Sequence, residues 1–158
     1  MPATFFLTGA FAEAHPTQSV TVAQRDERLG DRSVGHPSFP ALTDDEIRTQ
    51  VLGAAATIRA TTDADPAPLF RFPYGDFDAR SLAVVNQVGY LAVGWTVDTL
   101  GWRGTSAGIT TETIVNRVLA APAFQTFEEE PSPEYGVAQG CNPHRLHYLS
   151  LSKKPLRS

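Results

Sequence analysis

The residues in this chain whose types could carry chemistry fall into three short segments. They are Leu29-Gly30-Asp31-Arg32-Ser33-Val34-Gly35-His36-Pro37, Arg71-Phe72-Pro73-Tyr74-Gly75, and Gly94-Trp95-Thr96-Val97-Asp98-Thr99-Leu100-Gly101-Trp102. Each has a plainer reading by type alone. His36 before a proline can be a turn histidine, Arg71 on a short strand can be a structural ion-pair partner, and Trp95 reads best as core filling. Asp76 and Asp78 stand just before an expected helix and read as its cap and first-turn acids.

The elements that must position these segments alternate between strand and helix. Ala3-Thr4-Phe5-Phe6-Leu7-Thr8 is apolar, aromatic and β-branched up to Gly9, which suits a buried strand. Residues 28–33, 69–72 and 91–97 are the further expected strands. Residues 16–27 are expected to be helical, although Ser19-Val20-Thr21-Val22 favours a strand. The clearest helix runs from about Asp44 to Arg59: Thr43 and Glu46 form a capping box, and Ile47, Val51, Ala54, Ala55 and Ile58 fall on one face. Helices over 78–88 and 111–121 follow, the last with Ile114, Val115, Val118 and Leu119 inward. This alternation implies an α/β fold with a parallel sheet or barrel, whose sites lie at the carboxyl ends of the strands. Residues 122–158, with Glu128-Glu129-Glu130-Pro131-Ser132-Pro133-Glu134, read as a divergent, loose tail to a domain at 1–121.

Taken in order, the segments resemble those of the polysaccharide deacetylases, also called carbohydrate esterase family 4 or NodB-type homology domains. Pro2-Ala3-Thr4-Phe5-Phe6 resembles the family's second barrel strand, and the segment ending in His36-Pro37 its second motif. The segments beginning at Arg71 and Gly94 resemble the third and fourth. The resemblance implies a partial, distorted (β/α) barrel and metal-dependent removal of N-acetyl groups from glycans such as chitin oligomers or peptidoglycan. The cofactor it implies is zinc or another divalent cation, and the partner an acetylated glycan.

That chemistry needs a metal to activate water, a carboxylate to take its proton and a donor for the oxyanion. By resemblance, His36 matches a metal histidine, Arg71 the arginine that sets the charge of the base, Tyr74 the backbone oxyanion donor and Asp98 a fourth-motif carboxylate. Pro73 and Trp102 match substrate-binding positions. Two departures stand out. Arg32 replaces the other metal histidine, and the family's paired aspartates are expected on a strand before Ala3-Thr4-Phe5-Phe6, so the chain is expected to start after that strand. A guanidinium about 4 Å from a single positive charge opposes it by roughly 4 kcal/mol at an effective dielectric of about 20. Catalysis is therefore expected to be impaired, and a non-catalytic glycan-binding relative or a gene fragment is the alternative.

Composition narrows the partners. With 13 basic and 17 acidic residues and a net charge of −4, the chain has no basic stripe for nucleic acid. A single cysteine, Cys141, cannot form an internal disulfide. No apolar run approaches a membrane span, and Met1 to Phe6 lack the basic start and cleavage site of a signal peptide. Those features alone leave the chain in the cytoplasm, whereas the resembled family is commonly exported or associated with the cell wall.

Overall fold

The computed structural model describes residues 3–25, 27–95 and 97–120. It divides into two units, Met1–Gly94 and Trp95–Ser158, each taken by itself below.

The first unit is a four-stranded sheet in the order β1 (Thr4–Leu7), β2 (Arg28–Asp31), β3 (Leu69–Phe70) and β4 (Leu91–Ala92). All three pairings are parallel, with Leu7 opposite Asp31 and Asp31 opposite Phe70. This is the α/β arrangement that the alternating pattern implies. The register brings the carboxyl ends of β2 and β3 level, and the Arg71 N–H donates to the Asp31 carbonyl at 2.9 Å. Whatever follows these two strands therefore shares one end of the sheet.

Every strand is shorter than its expected range, for local reasons. Thr8 leaves β1 to cap a six-residue helix, α1 (Gly9–Ala14), its Oγ1 accepting the Phe11 N–H at 3.0 Å. β2 stops at Asp31 because Ser33 turns to a positive φ of 71°. β3 stops where Phe72 enters the 3-10 turn Pro73–Gly75, and β4 then has only a two-residue partner. The expected helix at 16–27 is α2 (Pro16–Ala23), which ends before the polar Gln24 to Arg28 stretch.

The long helix α3 (Asp44–Thr62) has the predicted capping box and buried stripe. It runs three residues beyond Arg59, where the Thr61 and Thr62 hydroxyls donate to the carbonyls of Thr57 and Ile58. Gly9 lets α1 approach it closely, since a Cβ there would lie 3.2 Å from the Ala54 Cα. Together with α4 (Ala79–Gln87), capped by Asp78, α3 closes a core of Phe39, Ile47, Val51, Ala55, Phe70, Phe72, Val84, Val85 and Tyr90. Burying each large apolar member contributes about 1.5–3 kcal/mol. Phe39 touches the rings of both Phe70 and Phe72, which ties the segment after His36 to the strand before Arg71.

In the second unit, 3-10 turns at Gly101–Arg103 and Thr105–Ala107 precede α5 (Thr111–Ala120). The expectation that its apolar face turns inward is corrected: Val115, Val118 and Leu119 are exposed, while Ile114 lies close to the backbone at Gly101. The described part of this unit offers only a short loop to cover a whole helix face. The expected loose tail at 122–158 lies outside the described residues.

Candidate active site

Arg32 is the first residue after β2 and Arg71 the first after β3, so the sheet register sets them side by side. His36 follows Arg32 through a loop held at several points. The Ser33 N–H donates to Asp31 Oδ1 at 2.7 Å, and the His36 N–H to Ser33 Oγ at 3.0 Å. Gln50 Oε1, on α3, accepts from Val34 N–H and Gly35 N–H, both at 3.1 Å. Ser33 and His36 both take positive φ, 71° and 62°, a conformation L-residues hold only when their surroundings over-determine it.

The loop aims the imidazole at Arg32. Arg32 Nε donates a hydrogen bond to His36 Nε2 at 2.8 Å, so this ring nitrogen's lone pair is in use and the ring's proton is on Nδ1. Burial and then the Arg32 charge hold the His36 pKa below its ordinary value, which keeps the ring neutral at neutral pH. The Tyr74 ring meets His36 edge-on, with centroids 4.6 Å apart and planes at 75°. Tyr74 itself has φ of 58° within the Pro73–Gly75 turn and is 69% exposed, so its ring is open to a ligand.

Arg71 rests on a platform that its motif does not announce. Its Cζ sits 4.0 Å above the centroid of the Phe6 ring, and its guanidinium donates to the Val93 and Gly94 carbonyls at 3.4 Å. Phe6 reaches this place because Gly30 opposite it has no side chain; a Cβ there would lie 2.6 Å from the Phe6 ring. Burial and then the Arg32 charge lower the Arg71 pKa, though the guanidinium keeps its proton.

Of the residues expected at the site, the first unit brings His36, Arg71 and Tyr74 to one end of the sheet. Pro73 is fully buried and shapes the turn that presents Tyr74. Asp98 and Trp102 belong to the second unit. There Asp98 Oδ1 accepts the Leu100 N–H at 2.8 Å, and Trp102 is 74% exposed with the Arg103 guanidinium 5.1 Å from its ring centroid. Sequence reasoning missed Phe6 and Gly30 as supports for Arg71; the glycine in mid-strand opposite an aromatic was the available signal.

The described residues do not by themselves fit a divalent cation. His36 offers its Nε2 lone pair to a guanidinium, and among the described residues no group of three His, Cys, Asp or Glu side chains could hold a metal ion. A catalytic zinc site ordinarily takes three protein ligands and an open position.

A parallel α/β sheet with polar residues gathered where the strands end is the arrangement of doubly wound and (β/α)-barrel proteins, whose sites lie at that end. The profile of the polysaccharide deacetylase domain matches residues 1–93, and the chain belongs to that family. It is 34% identical over 118 residues to the peptidoglycan-N-acetylglucosamine deacetylase of Bacillus cereus, an alignment that takes in 74% of this chain and 41% of that one. It is 31% identical over 146 residues to the chitooligosaccharide deacetylase of Sinorhizobium fredii, with 92% of this chain and 63% of that one aligned. The chain thus spans less than two thirds of either relative.

Among solved structures it is similar to a family 4 pseudoenzyme from Bacillus anthracis, at a TM-score of 0.69 and 25% identity over 76% of this chain and 41% of that one. A second likeness is to the Bc1960 peptidoglycan N-acetylglucosamine deacetylase, at a TM-score of 0.68 and 29% identity over 75% of this chain and 53% of that one. The four parallel strands are accordingly part of the family's (β/α) barrel. The family is in general metal-dependent, which sets the Arg32–His36 pair apart from its usual chemistry.

Proposed function

We propose that this chain engages acetylated glycans of the chitin or peptidoglycan type in the manner of its family, with metal-dependent deacetylation impaired. The observation that carries this reading is the hydrogen bond from Arg32 Nε to His36 Nε2, which commits the nitrogen a metal would need. The exposed Tyr74 and Trp102 rings are suited to lie against sugar rings, whose C–H faces are apolar. In this reading Arg71 and the backbone at Tyr74 retain their family positions, and Asp98 is the fourth-motif carboxylate. No hydrolytic step is assigned to them, because among the described residues no group of three His, Cys, Asp or Glu side chains could hold the cation that would activate water.

Elemental analysis of the purified chain, acetate release from chitooligosaccharides and calorimetric binding of the same oligomers test the proposal together. Expected are zinc well below one equivalent, negligible acetate, and binding that weakens at least severalfold in Tyr74→Ala. Binding too weak to detect would remove the glycan reading. Acetate release abolished by His36→Ala would show that catalysis is intact.

A further inference from the structure

Asp76 and Asp78 read alike in the sequence, yet it is Asp78 that caps α4. Asp76 closes the turn that carries Tyr74: its N–H donates to the Pro73 carbonyl at 3.0 Å. Its carboxylate Oδ2 accepts the Ser38 hydroxyl at 2.5 Å, from 38 residues earlier in the chain. Ser38 lies two residues after His36 and Asp76 two residues after Tyr74, so this bond clasps the two turns whose rings meet at 4.6 Å. Both His36 and Tyr74 hold positive φ, a conformation that persists only where neighbouring contacts enforce it. Arg80 joins the same two segments farther along the chain, donating to the Pro40 carbonyl at 3.1 Å and to Asp44 Oδ1 at 2.8 Å. Phe39 does so in the core, against Phe70 and Phe72. The Ser38–Asp76 bond joins them next to the rings.

We infer that Asp76 is a positioning residue: through the Ser38 hydroxyl it holds the Tyr74 ring in its edge-on contact with His36 and so sets the face that Tyr74 offers a sugar. The last step rests on the glycan reading; the first does not. A carboxylate suits the task, because an ionised acceptor makes a shorter and stronger bond to a hydroxyl than a neutral one does. Asp76 is exposed, so water competes for both partners and the bond adds little to overall stability. Its effect is local. Without it the two turns can part and Tyr74, 69% exposed, loses its ring contact. A side chain that must then be ordered on binding costs affinity.

The test compares the full, isotope-labelled chain with Ser38→Ala, Asp76→Ala, Asp76→Asn and the double variant that combines Ser38→Ala with Asp76→Ala. NMR without ligand reads the nuclear Overhauser contact between the Tyr74 and His36 rings, and calorimetry with N-acetylated chitotetraose reads affinity. The ring contact should be lost in both alanine variants and kept in Asp76→Asn, whose side-chain carbonyl still accepts from Ser38. Affinity should fall about threefold to tenfold in each alanine variant. It should fall no further in the double variant, because both changes remove one bond. Thermal midpoints should stay within about 3 °C of the unaltered chain. An intact ring contact in Asp76→Ala overturns the positioning role whether or not a sugar binds. A lost contact with unchanged affinity overturns the link to the sugar face, and a double variant weaker than either single overturns action through Ser38. Should Asp76→Ala fail to fold, Ser38→Ala breaks the same bond from the other side and decides by the same contact. Undetectable sugar binding by the unaltered chain removes the glycan reading alone, and the ring contact still decides the role of Asp76.

Discussion

Asp31 Oδ1 accepts the Ser33 N–H at 2.7 Å, while its Oδ2 has no partner among the described residues. The side chain is fully buried at the end of β2, and burial pushes its pKa up to about 7, opposed in part by the Ser33 N–H and the Arg59 charge. Nearby Tyr90, buried with a hydroxyl that has no hydrogen-bond partner among the described residues, is itself pushed up to about 12, first by burial and then by the Asp31 charge. The folded chain thus holds a proton that the unfolded chain, at its ordinary value of 3.8, has already released.

Folding stability contributed by that proton is complete below about pH 4 and is lost as pH rises towards and through about 7. The expected loss is on the order of 2–4 kcal/mol between acid and mildly alkaline solution. Asp31→Asn, which has no proton to lose, should flatten this dependence. Urea melts of both forms at pH 5 and pH 8 check it, and identical pH slopes would remove Asp31 as the cause.

Gly30→Ala should disturb Arg71 at a distance. The new methyl would meet the Phe6 ring at 2.6 Å and the Leu69 carbonyl at 3.3 Å, so the ring must move and Arg71 loses its platform. A destabilisation of about 1–3 kcal/mol is expected for overpacking of this kind. The Arg71 Nε–H resonance should shift while the Arg32 Nε–H, bonded to His36 on the neighbouring strand end, stays close to its place. A change confined to stability, with both resonances unmoved, would show that Phe6 does not position Arg71.

The parts of the fold that were legible in the sequence are those where a local signal and a long pattern coincide. α3 has both, in the Thr43–Glu46 box and in a stripe from Ile47 to Ile58. α1 has neither: six residues are too few to show a period, and the helix forms because Thr8 caps it and Ala12 is buried against its neighbours. β4 was over-read because a run of apolar residues does not reveal that its partner β3 ends at Phe70. At the candidate site, motif spacing singled out Arg32, His36, Arg71 and Tyr74 but not how they meet. That depends on positive φ at Ser33, His36 and Tyr74, residue types that do not advertise it as glycine would. Repulsion between Arg32 and a cation was legible from charge; direct occupation of the His36 lone pair was not.

The Arg32–His36 bond also fixes what a single substitution can recover. Arg32→His removes the guanidinium charge, frees His36 Nε2 and puts a second imidazole, neutral at pH 7, on the same loop. Zinc retained after dialysis should rise severalfold over the unaltered chain, with the His36 pKa rising towards its ordinary value as the Arg32 charge that depresses it disappears. Turnover should remain low. Two imidazoles are fewer than the three ligands a catalytic zinc ordinarily takes, and among the described residues no cluster of His, Cys, Asp or Glu supplies the rest. Acetate release is expected to stay within about tenfold of the unaltered chain, since a bound metal without a positioned base gives little proton transfer. Zinc by elemental analysis, acetate release and an NMR titration of His36 on both forms decide the matter. Zinc at one equivalent in the unaltered chain would show that Arg32 yields its place to the metal, and full deacetylation by Arg32→His would show that this one residue was the whole of the impairment.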